Sequence, residues 1–196
     1  MIRNTTFVVV DTETTGATAA QDRIVEIGAV KVVNGEIVDT YQTLLNPKRL
    51  IPHNVIQIHR ITDNMVINEP FFEDIIGEFL EFMGGDSVLV AHNLEFDRGF
   101  INEELKRIGH MPLPNQGLCT LKLSRKVFPD FRKYGLGHLS KTLGIELSNA
   151  HRALADSMAT AEILLRIFDE LENQGKTTLK DINLKRLKQE STLSLF

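Results

Sequence analysis

The strongest constraint on the fold of this chain is a change of hydrophobic period partway along it. Three β-rich runs come first, and strand and helix patterns then alternate. Thr6-Phe7-Val8-Val9-Val10 is an unbroken apolar run ending on Asp11, the pattern of a strand buried on both faces. Residues 24–33 and 36–45 are two further β-rich runs, joined by Asn34-Gly35, the pair that a two-residue turn with positive φ favours. A meander of three antiparallel strands is therefore expected over residues 6–45.

Residues 46–69 show no clean period, and a short helix is expected near His59. From Pro70 to Met83 the apolar residues fall at 71, 72, 75, 76, 79, 80 and 83, the spacing of an amphipathic helix, with Pro70 suited to its first turn and Gly84-Gly85 as its stop. A buried strand follows at 87–91, then a helix at 96–108, a short strand running into a helix over 116–128, a small helix at 136–143, and the longest helix at 152–172. A right-handed crossover returns the fourth strand beside the first and parallel to it. The expected class is α/β, a mixed sheet of an antiparallel three-strand meander plus parallel strands, flanked by helices. The C-terminal ends of strands one and four then lie side by side, where open α/β sheets place their sites.

Composition narrows the setting. The chain of 196 residues suits one domain. Its single cysteine excludes an internal disulfide and a four-thiolate zinc site. No apolar stretch nears the roughly 20 residues of a membrane span, so a soluble, cytoplasmic protein without a membrane partner is expected. A net charge of −4 argues against a protein that coats nucleic acid electrostatically. That charge is unevenly spread: residues 1–97 carry 15 acids and 6 bases, and residues 98–133 carry 3 acids and 8 bases. Past Gly175 the chain turns basic, which places the domain boundary near 174: residues 1–174 form the domain and 175–196 a tail.

Asp11-Thr12-Glu13 closes the first strand. Residues two apart on an extended backbone share a face, so both carboxylates can meet beyond the sheet edge. Such pairs also arise by chance, and the Thr14-Thr15-Gly16 turn that follows is what raises the interest of this one. His92-Asn93-Leu94-Glu95-Phe96-Asp97 follows the other central strand. Asp97 falls in the first turn of the next helix, where it either complements the helix dipole or reaches towards Asp11. His151 and Asp156 open the long helix: a His on the loop before it and an Asp held rigidly on it suit a movable base and a fixed ligand, while a capping His and a solvated Asp are the plainer alternative. Four carboxylates in a small space repel unless cations relieve them, and hard oxygen ligands select Mg²⁺ or Mn²⁺. Two such ions clamp the attacking and leaving oxygens of a phosphodiester, with His151 as the base for water.

Asp11-Thr-Glu13-Thr-Thr-Gly, His92-Asn-x-x-Phe-Asp97 and His151-x₄-Asp156, in this order, resemble the three motifs of the DEDDh 3′–5′ exonuclease family. Within it the chain is similar to the proofreading branch, the epsilon subunit of bacterial DNA polymerase III and polC-type exonuclease domains. The resemblance covers residues 5–172 and implies a ribonuclease-H-like fold and a two-metal mechanism that releases nucleoside 5′-monophosphates from DNA 3′ ends. It implies Asp11, Glu13, Asp97 and Asp156 as metal ligands and His151 as general base. It further implies Leu50 against the terminal base, His59 near it, Thr14 on the terminal sugar and Asn93 among the substrate contacts. Arg60 departs from the family, which commonly has Gly there. If that Gly uses positive φ, Arg60 is strained. Arg98, Lys122, Arg125, Lys126, Arg132 and Lys133 are candidates to line the approach of a single-stranded or frayed DNA 3′ end.

Thr192-Leu-Ser-Leu-Phe196 resembles the clamp-binding motif of bacterial replication proteins, with Leu193, Leu195 and Phe196 as contacts to a sliding clamp and Thr192 in place of the usual Gln. A DNA polymerase III catalytic subunit is the other partner the resemblance implies. Two alternatives remain open at this level: an RNA exonuclease of the oligoribonuclease or tRNA-trimming type, and a non-catalytic binding subunit of a replication complex.

Overall fold

The computed structural model describes residues 1–182 and 184. Among these residues five strands form one sheet in the order β3-β2-β1-β4-β5. β1 (Phe7–Thr14), β2 (Ile24–Val33) and β3 (Glu36–Leu44) are the antiparallel meander, and the turn between the last two holds Asn34 at φ 54° and Gly35 at φ 78°. β4 (Val88–Ala91) pairs parallel to β1, and β5 (Gly117–Cys119) pairs parallel to β4. The helices are α1 (His53–His59), α2 (Asp63–Val66), α3 (Phe72–Met83), α4 (Leu94–Arg107), α5 (Thr120–Val127), α6 (Leu136–Leu143) and α7 (Ala153–Asn173).

The alternation of the strands sorts the core into two layers. Phe7, Val9, Val30, Val32, Val88 and Val90 face α5, α6 and α7, with the Phe7 and Phe168 rings 5.1 Å apart. Val8, Val10, Ile27, Ala29, Leu89 and Ala91 face α3 and α4. Both faces of β1 are thus dry, which is why its sequence is an unbroken apolar run rather than an alternating one. Phe7, Val8, Val9 and Val10 are all fully buried, and each large apolar side chain so placed contributes about 1.5–3 kcal/mol.

One local expectation needs correction. Pro70 does not sit in the first turn of α3; Phe71 is its N-cap, and the carboxylate of Asp74 closes the cap by accepting the Phe71 N–H at 2.9 Å. Past residue 174, Ile2 donates its N–H to the Thr177 carbonyl at 2.7 Å and Ile182 is buried in the α7 layer. The clamp-like segment 192–196, with Leu193, Leu195 and Phe196, lies outside the described residues. Among the described residues no helix is long and apolar enough to cross a membrane.

Candidate active site

Strand register decides where the first two carboxylates point. Asp11 pairs with Gly28 and Glu13 with Glu26, and Asp11 and Glu13 continue the face of Phe7 and Val9, towards α7. Thr12 lies on the opposite face, where its backbone N–H and its hydroxyl both donate to one oxygen of Asp97, at 3.0 and 2.9 Å. Asp97 stands in the first turn of α4, buried, so these two bonds tie that helix to the end of β1.

The third element is α7. Its N-cap is Arg152, and His151 precedes it on an exposed loop with φ 66°, a left-handed conformation that costs a non-glycine residue of order 1 kcal/mol. Asp156 turns back from the first turn and accepts the His151 N–H on Oδ2 at 3.2 Å. That bond holds the strained residue. Glu13, His151 and Asp156 each offer a ligand atom, and these atoms lie within 4.8 Å of one another.

Electrostatics sets these carboxylates apart from the rest. Burial, then Asp97, Asp156, Glu13 and Glu26, push Asp11 well above the usual carboxylate range. Burial and the neighbouring acids Asp156, Glu26 and Asp97 push Glu13 up to about 8. Burial pushes Asp97 up to about 7 in spite of the two bonds from Thr12. Asp156 is also raised by burial, with the His151 N–H opposing, and its buried Oδ1 has no hydrogen-bond partner among the described residues. Uncompensated oxygens that gather this closely fit hard divalent cations, which supply the missing positive charge.

The expected substrate contacts are distributed unevenly. Leu50 is 79% exposed and stands clear of the domain. Asn93, the N-cap residue of α4, is exposed and makes no side-chain cap bond. Thr14 is buried, and its hydroxyl donates to the Gly16 carbonyl at 2.6 Å. His59 is 2% exposed, not a loop residue in solvent; its Nδ1 accepts the Ile61 N–H at 3.0 Å, which leaves the proton on Nε2. Arg60 has φ 61°, the positive value anticipated if the family's Gly conformation is kept. An open cleft of about 810 Å³ runs beside this segment, lined among others by Gln42, His59, Arg60, Asn149, Arg152 and Met158.

Of the basic approach residues, Arg98 is misplaced: it is buried and donates to the Asn115 carbonyl beside β5. Lys122, Arg125, Lys126, Arg132 and Lys133 are exposed. His92 of the second motif turns away from the acids, with Nε2 2.7 Å from the Tyr134 carbonyl and Nδ1 3.0 Å from the Thr120 hydroxyl. It anchors the loop carrying Arg132 and Lys133. Three residues about the site carry no role in the sequence reading: Thr12, which stands inside the first motif, and Glu26 and Gly28, which stand in none. The one signal for the last two is a charge and a glycine inside the apolar run Ile24–Val33.

In this mixed sheet, β1, α4 and α7 bring four acids to the same end. A family model described as an exonuclease, RNase_T, matches residues 8–164. The PolC-type DNA polymerase III of Staphylococcus haemolyticus is 40% identical over 184 residues, covering 94% of this chain and 13% of the relative, and that of Staphylococcus aureus is 39% identical over 185. The chain therefore spans about an eighth of the length of the curated relatives it matches. Exonuclease X in complex with 5′ overhanging duplex DNA superposes with a TM-score of 0.71 at 33% identity, covering 90% of this chain and 96% of that one. The nuclease domain of 3′hExo, a DEDDh family member, gives 0.75 at 17% identity over 93% and 97%, a likeness of fold. The chain belongs to the RNase_T exonuclease family.

Proposed function

We propose that this chain removes nucleotides one at a time from DNA 3′ ends, as a proofreading or repair exonuclease. One observation carries the reading: buried and half-buried carboxylates from three elements, without a cation to neutralise them, gather beside an exposed imidazole at the end of the sheet. Preference for DNA over RNA is supported by the PolC-type relatives and by Exonuclease X.

In this reading Asp11, Glu13, Asp97 and Asp156 hold two Mg²⁺ or Mn²⁺ ions. Cations bound there supply Lewis-acid stabilisation of the charge that develops on the phosphodiester. His151, exposed on its loop, accepts the proton of the attacking water. Leu50 packs on the terminal base, His59 offers its Nε2 proton, and Thr14 and Asn93 hold the terminal nucleotide from opposite sides of the strand end. Such a protein works in the cytoplasm alongside a DNA polymerase III catalytic subunit. A sliding clamp would take Leu193, Leu195 and Phe196, and deletion of 192–196 should abolish co-elution with the clamp without changing turnover of a short oligonucleotide.

The test uses single-stranded DNA and RNA oligonucleotides labelled at the 5′ end, with Mn²⁺ or Mg²⁺. A ladder shortening from the 3′ end of DNA, lost in Asp11→Ala and slowed by about 10²–10⁴-fold in His151→Ala, is expected. Faster shortening of RNA would move the chain to the RNA-trimming reading, and no shortening of either would leave a binding subunit.

A further inference from the structure

Glu26, the third residue of β2, is a carboxylate with no exposed surface. Burying an ion there costs several kcal/mol unless its oxygens are fully partnered. They are. Arg152 donates from Nε at 3.1 Å and from Nη2 at 2.7 Å, Gln42 donates from Nε2 at 2.7 Å, and the backbone N–H of Ala153 donates at 3.0 Å. The last bond is a helix cap supplied from outside the helix. Arg152, the N-cap of α7, makes no side-chain cap bond of its own, and Glu26 takes the orphan N–H in its place.

Two residues along the same strand face, Gly28 completes the contact. A Cβ at Gly28 would lie 2.2 Å from the backbone of Ala153 and Leu154, so the first turn of α7 rests directly on β2. The Gly28 carbonyl accepts the Ser157 hydroxyl at 2.8 Å. The helix start is thereby held by Glu26 at residues 152 and 153 and by Gly28 at residues 153, 154 and 157. His151 lies immediately before these contacts and Asp156 among them, and Glu13 is the cross-strand partner of Glu26. The seat and the first carboxylates are built on one pair of strands.

We infer that Glu26 is a positioning residue for hydrolysis, which together with Gly28 sets where α7 begins and so places His151 and Asp156 against Glu13. The inference rests on the roles proposed above for His151 and Asp156. A displacement of about 1 Å at reacting groups costs up to about a hundredfold in rate, so the effect belongs in kcat. Leu50 and Asn93 lie on other elements, so KM should move little.

The test compares wild type with Glu26→Gln, which keeps the side-chain length and an acceptor for the Ala153 N–H but loses the ion pair, and with Gly28→Ala, which displaces α7 without touching charge. On single-stranded DNA with Mn²⁺, Glu26→Gln should lower kcat about tenfold with KM changed less than about threefold. In a His151→Ala background the same substitution should cost less than about threefold, because its effect passes in part through that residue. Hydrogen exchange over residues 149–156 should quicken in Glu26→Gln while β1 and α3 stay as in wild type, a readout that needs no activity. Unchanged kcat, an equal loss with and without His151, or unchanged exchange at 149–156 would each overturn the inference. If Gly28→Ala does not fold, the Gln variant decides alone. A wild type inactive on DNA defeats the proposed function instead, and the exchange result still judges the seat.

Discussion

Thr12 gives its backbone N–H and its hydroxyl to the same oxygen of Asp97, across 85 residues of sequence. A carboxylate buried at the start of α4 is thus held to β1 by two donors from a single residue. Hydrogen bonds to a charged group contribute about 1.5–3 kcal/mol each. Thr12→Val keeps the shape and the backbone bond but removes the hydroxyl. It should lower the melting temperature by several degrees and kcat by about tenfold, checked by thermal melts and steady-state kinetics on the same preparation.

Removing a carboxylate of the site should do opposite things to activity and to stability. Asp11 is pushed up by burial and by four neighbouring acids, so in the metal-free protein its charge opposes folding. Asp11→Asn is expected to lower kcat by at least about a thousandfold and to raise the melting temperature in EDTA at pH 8. A lower melting temperature there would mean that the carboxylate is compensated by a group other than a cation.

The pH dependence of stability follows from the same shifts. Glu13 at about 8 and Asp97 at about 7 keep protons in the folded state that the unfolded chain releases near 4. The folded state binds more protons between those limits, so its stability falls as pH rises from about 4 to 8. Glu26 runs the other way. Burial raises it, but Arg152, the Ala153 N–H and Gln42 together hold it below the usual range. Its contribution is present above its unfolded value of about 4.5 and is lost as pH falls through the folded one. In EDTA the melting temperature should therefore peak near about pH 5 and decline towards pH 8. Mn²⁺ should raise it far more at pH 8 than at pH 5, as scanning calorimetry would show.

Leu50 separates substrate binding from folding. With 79% of its surface open, Leu50→Ala should leave the melting temperature within about 1 °C of wild type. Loss of apolar cover on the terminal base should raise KM about tenfold, the equivalent of roughly 1–2 kcal/mol of buried surface. Kinetics on a short DNA oligonucleotide measures both constants, and a fall in kcat at constant KM would place Leu50 elsewhere in the cycle.

Much of the fold is legible in local pattern. The unbroken run Phe7–Val10, the Asn34-Gly35 turn and the helical period of residues 72–83 each depend on neighbours a few positions away, and each element forms where that pattern puts it. The acids of the site are equally local: Asp11 and Glu13 share a strand face, and Asp97 and Asp156 sit in first turns of helices.

The surroundings of those acids depend on long-range packing. His59 looks like a surface residue in its own segment, yet it is buried once α1 closes on the end of β1. Arg98 reads as part of a basic face, yet the close approach of α4 to Gly117 on β5 turns it inward to the Asn115 carbonyl. Glu26 and Arg152 meet across 126 residues and carry no mutual spacing that a linear pattern could show. The sequence by itself determined the strands, the helices and the identity of the acids, because hydrophobic period and side-chain chemistry are properties of short stretches. Only the tertiary structure decided which groups lose water and which gain partners, because burial and ion pairing depend on the segments that packing brings into contact.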